Sequence, residues 1–139
     1  MSDPLYGKPL LRLAADAVGA GRLAEFDAEA TTYNPACGDR IAVTVRSDGS
    51  GHIAALGHET HACVLTQASA SILAAHASGM DSVRLRALRD EVAGMLRGDG
   101  VVTAPFQDYD VLKPAAIYRN RHICILLPID AALKALEKE

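Results

Sequence analysis

The sequence predicts an α+β fold, with a small antiparallel sheet early in the chain and helices after it. Alternating apolar and polar residues, typical of strands, occur mainly before residue 60, whereas apolar residues at helical spacing dominate after it. The composition agrees, because 139 residues that are 50% hydrophobic, with no Trp, suffice for one folded domain. We therefore expect a single domain over residues 1–139 with a largely aliphatic core.

The chain is expected to begin with a helix over residues 10–20, followed by a strand over residues 23–33. In the helix, apolar residues recur at the spacing of one helical face, and Gly19 and Gly21 are expected to close it. The strand segment is rich in Ala, Glu and Thr, and Asn34 with the proline after it ends the run.

A β-hairpin is predicted next. Ile41, Val43 and Val45 alternate with other residues, and a loop of Ser, Asp and Gly over residues 47–51 separates this run from a second extended run over 52–58. Together with the preceding strand, the hairpin makes a three-stranded antiparallel sheet.

Two helices are predicted after the hairpin. The first covers residues 63–78 and has Gly79 as its cap. The second covers residues 82–97, with Ser82 as N-cap, arginines on a solvated face and an end near Gly98.

The last part of the chain is expected to hold a long connection and a terminal helix. Residues 99–118 show no sustained period, so we expect a loop with one short helical turn. The helix covers residues 124–138, which requires Pro128 to lie in its first turn.

The charge balance excludes some functions. With 14 basic and 17 acidic side chains the formal net charge is −3, and no basic run with interleaved aromatic residues is present, so nucleic acid is not an expected partner. No apolar run approaches the roughly 18 residues that a bilayer span needs, and the N-terminus lacks a signal-peptide pattern. We expect a cytoplasmic protein without a membrane partner.

The three cysteines are the conspicuous feature, since an odd number argues for metal or thiol chemistry rather than a disulfide framework. Cys37 lies in the turn before the hairpin, Cys63 opens the helix after the sheet, and Cys124 opens the terminal helix. Unpaired N–H groups at a helix N-terminus stabilise a thiolate. In isolation, a cysteine is more often a small buried hydrophobe than a ligand.

Three thiolates are one ligand short of a tetrahedral set. Asp39, two residues after Cys37, is the best fourth ligand, and His58, His61 and His122 are alternatives. Such a set suits Zn²⁺ or an iron–sulfur cluster. A purely structural zinc domain and a cysteine-nucleophile hydrolase are further alternatives.

Two segments resemble a known family. Asn34-Pro-Ala-Cys-Gly-Asp-Arg40 and Ala62-Cys-Val-Leu-Thr-Gln-Ala-Ser-Ala-Ser71, with Cys124 before a terminal helix, resemble the NifU/IscU/SufU family of iron–sulfur cluster assembly proteins. The resemblance implies a SufE/NifU-like fold, in which helices pack on a three-stranded antiparallel sheet. It also implies that Cys37, Asp39, Cys63 and Cys124 surround one surface site, which holds a transient cluster, of the 2Fe-2S type, or Zn²⁺.

The sequence departs from the two branches of that family. Ile123 stands where the scaffold branch has a histidine before the third cysteine, and His122 lies one position earlier. The 60 residues between Cys63 and Cys124 resemble the insertion of the SufU branch, but the Gly-x-Gly-Cys form common there is absent.

The resemblance implies two alternative functions. In the first, a cluster-assembly scaffold binds iron through its cysteines, accepts sulfur from a cysteine desulfurase and passes the cluster to acceptor apoproteins or a chaperone. In the second, a zinc-dependent sulfur acceptor uses Cys124 as the persulfide-accepting, catalytic thiol and is a sulfurtransferase. Arg119, Arg121 and the loop before Cys37 are candidate desulfurase contacts.

Overall fold

A three-stranded antiparallel sheet forms one layer of the structure, a computed structural model that describes residues 7–35 and 38–137. The strand order is β1 (Ala28–Tyr33), β2 (Arg40–Ser47) and β3 (Ile53–His61). Ile41, Val43 and Val45 are fully buried on one face of β2, as their alternation predicts. The predicted hairpin and the predicted three-stranded sheet are confirmed.

Helices cover the buried face of this sheet, which confirms the predicted α+β class. Helix α4 packs against β1 and β2, α2 packs against β3 and α4, α1 packs on α2, and α3 packs on α4. No helix in the described residues is long and apolar enough to cross a membrane. The bounds are α1 Lys8–Asp16, α2 Val64–His76, α3 Ser82–Leu96 and α4 His122–Glu137, with 3₁₀ segments Gln107–Ile117 and Arg119–Arg121 before α4.

The predicted loop over residues 99–118 is wrong in its second half, where a long 3₁₀ segment forms. Aromatic and apolar residues recur there at every third position, which is the period of a 3₁₀ helix rather than of an α-helix or strand. Phe106 and Tyr109 are the largest fully buried side chains of the described chain, so two aromatic rings complete an otherwise aliphatic core. The four residues in this row, all fully buried, are Phe106, Tyr109, Leu112 and Ala115.

The first helix ends earlier than predicted. Ala17 adopts a left-handed conformation with φ 45°, and the chain then turns to run beside β3, where the Gly21 N–H donates to the His58 carbonyl at 2.7 Å. Gly19 does not close the helix. It permits close packing, because a Cβ atom there would lie 2.5 Å from the Cβ of Ala74.

Smaller differences concern strand and helix ends. β1 begins at Ala28 rather than near residue 23, because the preceding backbone approaches the sheet only at single points such as the Asp27 N–H, which donates to the Val45 carbonyl at 2.8 Å. Asp81, not Ser82, caps α3, and its carboxylate accepts from the Arg84 N–H at 2.8 Å. Pro128 lies inside α4 rather than in its first turn.

The arginines of α3 are not simply solvated. Arg89 donates to Asp130 of α4 at 2.5 Å, and Arg86 donates to Glu137 at 3.0 Å, so this face helps to join the two helices. Residue 138, which was predicted to end the last helix, lies outside the described residues.

His58 is buried where β3 meets the segment after α1, with 4% of its surface exposed. Its Nε2 lies 2.8 Å from the Val18 carbonyl, which can only accept, and its Nδ1 lies 2.8 Å from the Thr60 hydroxyl. The neutral ring satisfies both contacts. Burial lowers the pKa of His58 below its ordinary value of 6.5, and the bond to Val18 opposes that effect.

We expect the free energy of unfolding to fall as the pH drops through 6.5. The unfolded chain protonates this imidazole at a higher pH than the folded chain does, so protons favour the unfolded state until the lower folded pKa is passed. Urea unfolding between pH 8 and pH 5 measures this loss. His58→Gln should reduce the loss, whereas His52→Gln, at a site 44% exposed, should leave it in place. Equal pH dependence in wild type and His58→Gln would contradict the assignment.

Candidate metal centre

Three side chains from separate parts of the sequence meet at one end of the sheet. Asp39 lies directly before β2, Cys63 lies directly before α2, and Cys124 is the third residue of α4. One ligand atom of each lies within 4.8 Å of the others. These are three of the four residues predicted from the sequence to share a site. The fourth, Cys37, lies outside the described residues.

Two backbone hydrogen bonds beyond the end of β1 place Asp39. The Gly38 N–H donates to the Asn34 carbonyl at 2.8 Å, and the Asn34 N–H donates to the Asp39 carbonyl at 2.8 Å. Gly38 has φ +78°, a left-handed conformation that glycine adopts without steric cost. The sharp path that this glycine permits directs the Asp39 carboxylate toward the starts of α2 and α4.

The Asp39 carboxylate contacts both cysteine residues. Its Oδ2 accepts from the Cys63 backbone N–H at 3.2 Å and from the Cys124 thiol at 3.6 Å. Cys63 is the N-cap residue of α2, with φ −66° and ψ 168°, so its sulfur lies beside the positive end of the helix dipole. A carboxylate at this position also satisfies a backbone donor that the helix leaves without an internal partner.

The two thiols differ in exposure. Cys124 is 3% exposed and Cys63 is partly exposed, and neither forms a disulfide. The Asn34 side-chain amide, itself 4% exposed, donates to the Cys124 sulfur at 3.8 Å. This contact holds the Cys124 sulfur in place beside the Asp39 carboxylate.

None of the histidines named as alternative ligands joins this group within the part of the chain that the structure describes. Both ring nitrogens of His58 are engaged elsewhere. His122 Nε2 lies 2.9 Å from the Ala116 carbonyl. His61 is exposed at the end of β3, in the strand register opposite Arg40.

Two residues at the site were not predicted from the sequence. Asn34 and Thr66 both lie in the segments that carry the family resemblance, but neither residue was expected to contact the cysteines. Thr66 is fully buried, and its hydroxyl lies 3.6 Å from the Cys63 sulfur. Apart from that resemblance, the local signal for Thr66 was a polar residue one turn after a cysteine at a helix start, which is too common a pattern to identify a site.

The donor set indicates what the site can do chemically. Thiolate ligands select soft or borderline metals, namely zinc and iron in clusters, and a carboxylate is a weaker partner for the same metals. Three donors leave a fourth tetrahedral position for another ligand. The arrangement is therefore suited to a metal or cluster that can be exchanged.

Comparisons with known proteins agree with this description. The model of the NifU-like N terminal domain matches residues 5–121. A NifU-like protein (N-terminal) from Brucella abortus is 34% identical, with a TM-score of 0.89, and the match covers 98% of this chain and 94% of that one.

A putative iron-sulfur cluster assembly scaffold protein for the SUF system from Fervidobacterium islandicum AW-1 has a TM-score of 0.83 at 21% identity, with 98% and 99% of the two chains covered, and so shares the fold. Among curated proteins, none matches this chain. Because the domain model spans most of the sequence and the Brucella protein is similar over nearly its whole length, this chain belongs to the family of NifU-like N-terminal domains.

Proposed function

We propose that this protein is a scaffold on which iron–sulfur clusters are assembled and from which they are released. The observation that carries the proposal is the convergence of Asp39, Cys63 and Cys124 within 4.8 Å in a chain of the NifU-like family. Cys37 is proposed as the remaining thiolate. The cluster, of the 2Fe-2S type, is cargo in this scheme rather than a resident cofactor.

The proposed site combines strong and weak ligands for a reason. Three thiolates hold iron, whereas Asp39 supplies an oxygen that is the poorer partner for iron in a cluster. Cys63 is partly exposed and Cys124 is buried, so the cargo can be approached from the Cys63 side. A site of this kind retains a cluster long enough to complete it and still releases it to an acceptor.

The proposed partners are a cysteine desulfurase as the sulfur source, and acceptor apoproteins or a chaperone as recipients. Apolar side chains beside the site offer a docking surface, since Ile123, next to Cys124, is 52% exposed and Tyr33 at the end of β1 is 66% exposed. Arg119 and Arg121, in the 3₁₀ turn before α4, are further candidate contacts for the desulfurase.

A zinc-dependent sulfur acceptor is the second candidate function. It is favoured by the donor set, because cysteine thiolates with one carboxylate and no histidine among the described residues make an acceptable tetrahedral zinc site. In this case the Cys124 thiolate attacks the outer sulfur of a desulfurase persulfide. A Cys124 persulfide forms and the desulfurase thiolate leaves, so no external reductant is needed.

Elemental analysis of anaerobically purified protein separates the two functions. A scaffold is expected to take up iron and sulfide together on reconstitution. A sulfur acceptor is expected to carry one tight zinc and to stimulate a desulfurase, with the stimulation lost in Cys124→Ala.

Replacing Asp39 is expected to make a reconstituted cluster more persistent. Asp39→Ala removes the exchangeable oxygen ligand, and we expect the visible charge-transfer absorption to decay roughly two- to tenfold more slowly, a barrier change of up to about 1.4 kcal/mol. Because Asp39 also accepts from the Cys63 N–H, Asp39→Asn is the matched variant that can keep this hydrogen bond while losing the charge. Faster decay than wild type in both variants would refute the proposed role.

A further inference from the structure

A proline interrupts α4 one turn after Cys124. In an α-helix the N–H of residue 128 would donate to the carbonyl of residue 124, and proline has no N–H. Pro128 lies inside α4, so the Cys124 carbonyl is deprived of its usual partner within the helix. A buried carbonyl in this position requires another donor.

Thr66 of α2 supplies that donor. Its hydroxyl donates to the Cys124 carbonyl at 2.9 Å, and the same oxygen lies 3.6 Å from the Cys63 sulfur. Thr66 is fully buried, so water does not compete for these contacts. One side chain on α2 therefore contacts both cysteines, which lie on different helices.

Other hydroxyl groups donate to backbone carbonyls later in α4, but they do not contact either cysteine sulfur. Ser69 donates to the Ile125 carbonyl at 2.6 Å, and Thr32 of β1 donates to the Leu127 carbonyl at 2.9 Å. Ser69 thus makes the same kind of helix-to-helix bond one residue further on. It provides a control for the loss of a buried hydroxyl that has no contact with either sulfur.

We propose that Thr66 is a positioning residue that, together with Pro128, sets the separation of the Cys63 and Cys124 thiols. Pro128 lacks the backbone N–H that would normally bond the Cys124 carbonyl. The Thr66 hydroxyl, on the helix that follows Cys63, takes its place as the donor. Thr66 thus ties the Cys124 backbone to the helix that carries Cys63, in addition to the Asp39 carboxylate, which contacts both cysteines. The inference deepens the proposed function, and its metal-binding consequence rests on that function.

Co²⁺ is the probe for the first test, because thiolate ligands give it a charge-transfer absorption. We expect Thr66→Val, which removes the hydroxyl, to weaken Co²⁺ binding about 10- to 100-fold, the range that loss of an outer-shell partner costs. Thr66→Ser retains the hydroxyl and is expected to restore binding. Ser69→Ala is expected to lower stability in urea with no change in Co²⁺ affinity. Wild-type affinity in Thr66→Val would overturn the proposal.

Pro128→Ala provides a second test. Alanine restores an N–H that can bond the Cys124 carbonyl inside the helix, so Thr66→Val should weaken Co²⁺ binding less in this background than in the wild type. An equal loss in both backgrounds would contradict the exchange between Pro128 and Thr66. The double variant also remains informative if Thr66→Val alone folds poorly.

Alkylation of metal-free protein distinguishes failure of this inference from failure of the proposed function. Iodoacetamide labelling of the buried Cys124, followed by mass spectrometry, is expected to accelerate at least about tenfold in Thr66→Val and to stay unchanged in Ser69→Ala, in line with release of a buried group. If the wild type gives no thiolate–Co²⁺ absorption, the proposed metal site is wrong while this readout still tests the positioning. Unchanged labelling in a folded Thr66→Val variant would overturn the positioning itself.

Discussion

Cys124→Ser is expected to lower the affinity for Zn²⁺ by more than the roughly 100-fold that loss of an outer-shell partner can cost. The Cys124 thiol is 3% exposed and lies 3.6 Å from the Asp39 carboxylate, so it is already placed inside the proposed site. A serine hydroxyl does not ionise near neutral pH and offers zinc only a hard oxygen. Competition with a chromogenic zinc chelator measures the change.

Ile123→Ser is the matched control for this experiment. It introduces the same serine one residue earlier, at a side chain that is 52% exposed. We expect the control to bind zinc as the wild type does. Unchanged affinity in Cys124→Ser, or an equal loss in both variants, would show that the Cys124 sulfur is not a ligand.

Gly57→Ala, which adds one methyl group in β3, is expected to lower the free energy of unfolding substantially. A Cβ atom at this position would lie 2.5 Å from the Gly21 carbonyl oxygen and 3.1 Å from the Thr44 hydroxyl. The first contact is with backbone that is hydrogen-bonded to His58, so it cannot move aside without breaking that pairing. Overpacking of this kind lowers the free energy of unfolding by about 1–3 kcal/mol. Because the new methyl group meets backbone rather than a flexible side chain, we expect a loss near the upper end of this range.

Thermal unfolding tests that expectation. For a chain of this size a loss of about 3 kcal/mol lowers the Tm by roughly 10 °C. The control is Glu59→Thr, an exposed change on the same strand, which is expected to stay within about 0.5 kcal/mol of wild type. A Gly57→Ala Tm equal to that of the control would mean that the segment beside β3 is not packed as described.

The parts of the fold that follow a simple period were predictable from the sequence. The β2 residues Ile41, Val43 and Val45 alternate because one face of the sheet is buried, and α2 and α3 have apolar residues at helical spacing. The 3₁₀ segment was not predicted, because the recurrence of Phe106 and Tyr109 with their apolar successors at every third position matches neither of the common templates. The terminal helix was predicted, but not its earlier start at His122, which places Pro128 inside α4, where hydroxyl donors from other elements bond the neighbouring carbonyls.

The site was predictable to the extent that helix starts are visible in a sequence. Cys63 is the N-cap of α2, as expected, and Cys124 lies in the first turn of α4. Asn34 and Thr66 were missed because their contacts with Cys124 join residues 90 and 58 positions apart. A local sequence pattern cannot identify these contacts, because the partner of each side chain lies on α4 and comes close only when the chain folds.

Anaerobic assembly with a cysteine desulfurase, free cysteine as its substrate, ferrous iron and a reductant tests the central claim most directly. Iron and acid-labile sulfide bound per chain are measured, and the loaded protein is then mixed with an apo-ferredoxin. The scaffold account predicts equal amounts of bound iron and sulfide, their loss in Cys124→Ser, and transfer of the cluster to the ferredoxin. A protein that keeps one tight zinc and takes up neither iron nor sulfide would contradict it.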